Sequence, residues 1–182
     1  MTCIAAIETR HGVTMAGDRA GSNGWTRGVV DTPKVFTNGP LLIGYTSSFR
    51  MGQLLQHALH PPVHTLGWDI DWWITHDLMN TVRRTFSEHG WGTTKDQQAA
   101  GGNWLVAVAG RCYEIQTDYS WLRYTTGRYT VGSGEVHAAA SLATTAHLDL
   151  DPATRLQIAL EVTADAVGTV HGPWDIHHQE KP

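Results

Sequence analysis

The chain has 182 residues, 41% of them hydrophobic and 16% charged, with a formal net charge of −4. That size suits a single domain spanning 1–182, long enough to bury a core between two or more layers. Only 13 Lys and Arg are present and they form no run, which argues against a nucleic-acid partner. The longest apolar stretches, such as Trp104 to Ala109, are far too short to span a bilayer. The two cysteines, Cys3 and Cys112, supply neither a disulfide framework nor a CxxC metal site. Their scarcity fits a reducing compartment, so a cytoplasmic location is expected.

In chain order, Cys3 to Ile7 and Val13 to Gly17 flank the turn residues Glu8 to Gly12 and read as a β-hairpin. Gly21 to Gly28 reads as a loop. Lys34 to Thr37 and Leu41 to Tyr45 flank Asn38-Gly39, a two-residue hairpin signal that calls for positive φ at both turn positions. Ser48 is placed to cap a helix in which Met51, Leu54, Leu55, Ala58 and Leu59 recur at helical spacing until Pro61-Pro62. A second helix is expected from Asp69 to His89, stopped at Gly90, and a polar glycine-rich loop from there to Asn103. Trp104 to Ala109 and Cys112 to Thr117 form a hairpin around Gly110-Arg111, and Tyr129 to Val131 a further short strand. After Gly132-Ser133-Gly134 comes an alanine-rich helix from Glu135 to Ala146. Asp151-Pro152 then caps a last helix running to Gly168, and a short strand follows at Trp174 to Ile176. Strands joined by hairpins, alternating with helix pairs, predict an α+β fold: a four-layer αββα sandwich of two antiparallel sheets flanked by helices.

The chemistry centres on Thr2. A threonine hydroxyl is a poor nucleophile unless a base lies beside it, and an N-terminal threonine carries one in its own α-amine. That amine titrates near ~8, so part of it is neutral at cellular pH. Removal of Met1 is therefore the condition for activity. Asp18 and Lys34 belong to the same constellation: a lysine near Thr2 favours loss of the hydroxyl proton, and a buried lysine needs a counter-charge. Taken singly, Asp18 reads as a turn acid and Lys34 as a solvated edge-strand lysine. Measured against the places that a family resemblance implies, however, three required residue types at three fixed positions coincide by chance about once in 10,000 at a usage of about 5% each.

The phrases "MAGDRA", "PKVF", "IGYTSS" and "VGSG", with Thr2, Asp18 and Lys34 at their mutual offsets, resemble proteasome β subunits. They are equally similar to the HslV-type peptidases, both families being N-terminal-nucleophile hydrolases. The resemblance implies that Ser133 and Asp165 complete the catalytic group around the amine. It also implies that backbone amides at Ser47 and Ser48, where the family usually has glycine, form the oxyanion hole. Gly168 stands where the family has a serine, with Thr169 beside it as a substitute. Thr32, Phe36, Thr46 and Met51 are candidates for the first substrate pocket. The implied activity is a self-compartmentalising threonine peptidase acting on peptides or unfolded proteins within a homo-oligomeric ring. An ATPase unfoldase is compatible as partner, and no cofactor is called for. The alternatives are a non-catalytic scaffold of the same fold and an amidase acting on a small non-peptide amide. Eleven histidines invite a metal reading. But His177-His178 are adjacent, and His57, His60 and His64 run into Pro61-Pro62, so surface or interface roles are expected and no metal site. The eight tryptophans, Trp72, Trp73 and Trp91 among them, are candidates for subunit contacts.

Overall fold

The computed structural model describes residues 2–22, 25–64, 67, 69–95 and 98–182; Met1 and its fate lie outside them. A four-stranded antiparallel sheet is built from β1 (Cys3–Thr9), β2 (Gly12–Asp18), β12 (Arg128–Gly132) and β13 (Trp174–Glu180), in the order β12-β1-β2-β13. A five-stranded antiparallel sheet is built from β5 (Val35–Asn38), β6 (Leu41–Tyr45), β9 (Trp104–Val108), β10 (Arg111–Ile115) and β11 (Trp121–Leu122), in the order β11-β10-β9-β6-β5. Two small hairpins stand apart, β3 (Ala20–Ser22) with β4 (Arg27–Val29) and β7 (Thr93–Lys95) with β8 (Gln98–Ala100).

The central strands β1, β6 and β9 are apolar and largely buried on both faces, and period-2 alternation sends their successive residues to different cores. In β1, Ile4 and Ala6 join a cluster with Val13, Met15, Val35, Leu42, Leu105 and Ala107, which draws on both sheets. Cys3, Ala5 and Ile7, facing the other way, meet Ala138, Leu142, Leu156, Ala159 and Leu160. Those partners lie on α4 (Glu135–Thr144) and α5 (Pro152–Ala166). In β6, Leu42 faces the shared cluster, whereas Leu41, Ile43 and Tyr45 pack with Met51, Leu54, Trp73, Leu78, Val82 and Phe86. These come from α1 (Phe49–His57), α2 (Ile70–Trp73), a π-helical turn (Ile74–Leu78) and α3 (Met79–Glu88).

The caps lie where the sequence puts them. Ser48 Oγ accepts from Arg50 N, and Asp151 accepts from Ala153 N and Thr154 N. Several other details differ. The Asn38-Gly39 expectation is off by one residue: Asn38 pairs with Leu41, so the turn is Gly39-Pro40. Only Gly39 has positive φ there (56°), because the proline ring holds φ negative at the next position. The hairpin expected around Gly110-Arg111 turns instead at Ala109-Gly110, both with positive φ (50° and 74°), and Arg111 pairs with Val108. The helix expected over Asp69 to His89 contains the π-helical turn, and the loops expected at 21–28 and before Asn103 each contain a short hairpin. The last strand extends to Glu180 along β2, well past Ile176. No helix among the described residues is long and apolar enough to cross a membrane, and no group of three His, Cys, Asp or Glu there is placed to hold a metal.

Candidate active site

Thr2 precedes β1, is hydrogen-bonded to Ser133, and lines one cavity with Lys34. Register pairs Cys3 with Gly132, which brings Ser133 to Thr2: Ser133 Oγ accepts from Thr2 N at 3.2 Å and donates to Thr2 O at 3.3 Å. Gly132 is required for that approach. Its φ is 103°, and a Cβ there would sit 2.2 Å from Thr2 O.

Asp18 ends β2 beside the start of β1. Its carboxylate accepts from Cys3 N, Ala20 N and Lys34 Nζ, each at 2.9 Å. Lys34 Nζ also donates to Ala20 O at 2.6 Å. The two side chains are 1% and 0% exposed, so this is a buried ion pair in which backbone groups supply further hydrogen bonds to both partners. Burial holds the Lys34 ammonium below the ordinary lysine range, and the attraction of Asp18 offsets this only in part. Cys3, next to Thr2, is fully buried, and its thiol is pushed up to about 12, by burial first and by the Asp18 charge second. At neutral pH it is a protonated core residue and not a nucleophile.

Past β6 the chain makes an unusual turn. Ser47 has φ 66°, in the left-handed region, and Ser48 N donates to Thr46 O at 2.7 Å, which closes a γ-turn of the rare positive-φ hand. The Ser48 amide is thereby committed and its side chain caps α1, whereas the Ser47 N–H has no partner among the described residues. Of the two amides expected as oxyanion donors, only that of Ser47 is uncommitted.

A cavity of about 660 Å³ collects these groups. Of the residues singled out in the sequence, Thr2, Lys34, Thr46, Ser47, Ser48 and Ser133 line it, with Asp18 directly behind Lys34. Thr32, Phe36 and Met51 do not. Thr32 is exposed ahead of Pro33, and Phe36 and Met51 belong to the core between the five-stranded sheet and the helices. Phe36 alternates with Val35 on β5, so when Val35 faces the other sheet Phe36 must face the helices. Asp165 is exposed near the end of α5 and is not part of the lining. On that helix Thr163 is buried; its methyl would meet a Cβ placed on Gly134, and its hydroxyl donates to Ala159 O. Gly168 accepts from Arg27 Nη1 at 3.2 Å through its carbonyl, and Thr169 Oγ1 is buried without a partner among the described residues.

The lining also includes Ser22, Tyr45, Phe49, Arg50, Asn103, Gly132 and Glu135, none of which was singled out from the sequence. Asn103 arrives through the pairing of Tyr45 with Trp104 between β6 and β9, and Glu135 because α4 starts two residues after Ser133, capped by Gly134. Tyr45, Phe49 and Arg50 carried a local signal in their adjacency to the oxyanion stretch, and Gly132 in its adjacency to Ser133. The Tyr45 ring is 3% exposed, its hydroxyl lacks a partner among the described residues, and burial pushes that hydroxyl up to about 12.

No protein-family model matches the chain, and none of the curated protein sequences matches it at a significant level. Solved structures do match along the whole chain. BPH from Thiobacillus denitrificans, in complex with epoxomicin, is 15% identical with a TM-score of 0.83, covering 100% of each chain. Eukaryotic HslV from Trypanosoma brucei is 19% identical with a TM-score of 0.70, covering 98% of this chain and 99% of its own. Anbu, an ancestral β-subunit from Yersinia bercovieri, is 17% identical with a TM-score of 0.66, covering 99% and 82%. At such identities the likeness is one of fold: the chain folds as these proteins do, an HslV-like fold with Thr2 at the head of its first strand.

Proposed function

We propose that the chain is an N-terminal-threonine peptidase, a single domain of four layers in which Thr2 becomes the nucleophile once Met1 is removed. The observation that carries this reading is the buried Asp18–Lys34 pair beside Thr2, with Ser133 Oγ 3.2 Å from Thr2 N, all at one cavity. Three apolar clusters, two facing helices and one drawing on both sheets, support the four-layer arrangement.

With Met1 gone, Thr2 N is an amine. The Thr2 hydroxyl adds to a substrate carbonyl while its proton passes to that amine, and the carbonyl oxygen becomes an oxyanion facing the Ser47 N–H. Collapse breaks the C–N bond, the amine's proton goes to the departing nitrogen, and an ester on Thr2 remains. Water, deprotonated by the same amine, then hydrolyses the ester. The Lys34 cation favours the alkoxide, and its charge keeps the Thr2 amine unprotonated. Asp18 keeps that cation in place. Assembly with further copies of the chain, as a ring or a related oligomer in the cytoplasm, belongs to the same reading; its oligomeric part is supported by similar structures such as a helical assembly of the Anbu complex from Pseudomonas aeruginosa. The exposed indoles of Trp25 and Trp72 are candidates for such contacts. Unfolded polypeptide is the substrate in this reading, delivered by an ATPase if one docks.

Two measurements test it. The intact mass of cellular protein should lack Met1, and epoxomicin should label Thr2, since an epoxyketone needs a hydroxyl and a free amine on one residue. Labelling should vanish in Thr2→Ala and persist in Cys3→Ala. Retention of Met1, or no labelling of the processed protein, would overturn the reading.

A further inference from the structure

The turn at Ser47 carries a second role for that residue, one that rests on the peptidase reading. A residue with a Cβ is strained at φ 66°, so something must hold Ser47 there. What holds it comes from the entry of the neighbouring strand β9. Asn103 N donates to Ser47 Oγ at 3.3 Å, and Asn103 O accepts from Thr46 N at 3.3 Å and from Thr46 Oγ1 at 2.7 Å. Thr46 Oγ1 and Ser47 Oγ are 3.2 Å apart and share a hydrogen bond. The fit is close enough that a Cβ on Gly102 would lie 3.0 Å from both Ser47 Cβ and Oγ.

Thr46, Ser47 and Asn103 therefore form a clamp around one peptide unit, and that unit presents an N–H with no partner among the described residues. We infer that the Ser47 side chain is a positioning residue: held by the Asn103 backbone, its hydroxyl locks the left-handed turn and fixes the Ser47 N–H as the oxyanion donor. A glycine at this place would reach the same φ without strain but would be free to leave it. The serine reaches it only while its hydroxyl is bonded. Alanine is then the worst of the three, because it keeps the steric strain and loses the bond.

The test compares wild-type protein with Ser47→Ala and Ser47→Gly, all lacking Met1, using epoxomicin as the probe and following labelling of Thr2 by mass. The expected result for Ser47→Ala is a fall of roughly 10- to 100-fold in the maximal labelling rate, somewhat less than the 10²–10³ seen when an oxyanion donor is deleted outright. The probe concentration giving half that rate should change by no more than about threefold, because the cavity walls are intact. Ser47→Gly should recover most of the lost rate. A purely structural serine would give losses that follow the thermal midpoints of the variants and fall on affinity as well as on rate. Equal rates for wild type and Ser47→Ala would overturn the positioning role and leave the peptidase reading standing. Slower labelling by Ser47→Gly than by Ser47→Ala would likewise overturn it. A wild type that epoxomicin does not label would overturn both.

Discussion

Replacing Asp18 by Asn removes one charge from a pair in which neither side chain is more than 1% exposed. The volume is unchanged, so the effect is electrostatic and hydrogen-bonding. Asp18 meets three donors, Cys3 N, Ala20 N and Lys34 Nζ. An amide offers one acceptor oxygen, and its NH₂ must turn toward a group that is itself a donor. At least one buried N–H then loses its acceptor, at about 1–3 kcal/mol, and the Lys34 ammonium, still bonded to Ala20 O, loses its counter-charge. Breaking a buried pair from one side generally costs about 3–5 kcal/mol. The lower end, about 3 kcal/mol, is expected for this pair because burial already favours the neutral amine of Lys34, giving the unpaired lysine a way to shed its proton. With a urea slope near 2 kcal/mol/M, the unfolding midpoint followed by tryptophan fluorescence should fall by roughly 1.5 M. The double variant Asp18→Asn/Lys34→Met should recover more than 1 kcal/mol relative to the sum of the single losses, since it leaves no charge to strand. Simple addition of the two losses would mean that Asp18 and Lys34 are not coupled, and that the lysine at the site does not depend on the aspartate for its charge.

Three further outcomes follow from the same geometry. Tyr45→Phe removes a buried hydroxyl that has no partner among the described residues, so it should raise the stability by up to about 1–2 kcal/mol; a lower unfolding midpoint would show that the hydroxyl is bonded in solution. Gly132→Ala should destabilise the fold by more than about 2 kcal/mol and abolish Thr2 labelling, because its Cβ would lie 2.2 Å from Thr2 O at φ 103°; wild-type urea stability in this variant would refute the close approach. The third concerns alkaline pH. Burial raises Cys3, Tyr45 and Tyr129 each to about 12, and Cys112 upward as well. Above the unfolded values, near 8.5 for cysteine and 10 for tyrosine, the unfolded chain binds fewer protons than the folded one, so stability falls as pH rises. Each group contributes up to about 1.4 kcal/mol per pH unit between its unfolded and folded values. Urea midpoints at pH 8 and pH 10.5 should therefore differ clearly, with the lower one at high pH; a flat profile would mean that these groups are not buried in solution.

The sequence by itself determined the residue types and their order. Short apolar runs at Cys3 to Ile7 and Leu41 to Tyr45, flanked by turn residues, specified strands of hairpins. Ser48 and Asp151 specified helix starts, and Thr2, Asp18 and Lys34, through their family resemblance, pointed to a candidate nucleophile; the burial of Lys34 is visible only in the structure. Apart from that burial, those features are local or depend on fixed offsets, so one dimension suffices to see them. What such runs cannot say is which neighbour each face meets, and Phe36 and Met51 accordingly look like pocket residues in sequence and are core residues in the fold. Asp165 shows the same limit on a helix, where the rotation of α5 leaves it exposed and turns Thr163 inward. Asn103 reaches the cavity only because β6 pairs with β9. The conformation of Ser47, which sequence alone would assign to the ordinary negative-φ region, is set by hydrogen bonds from that distant strand entry. Backbone conformers that are costly in isolation become the stable ones when long-range partners hold them, and only the tertiary structure contains those partners.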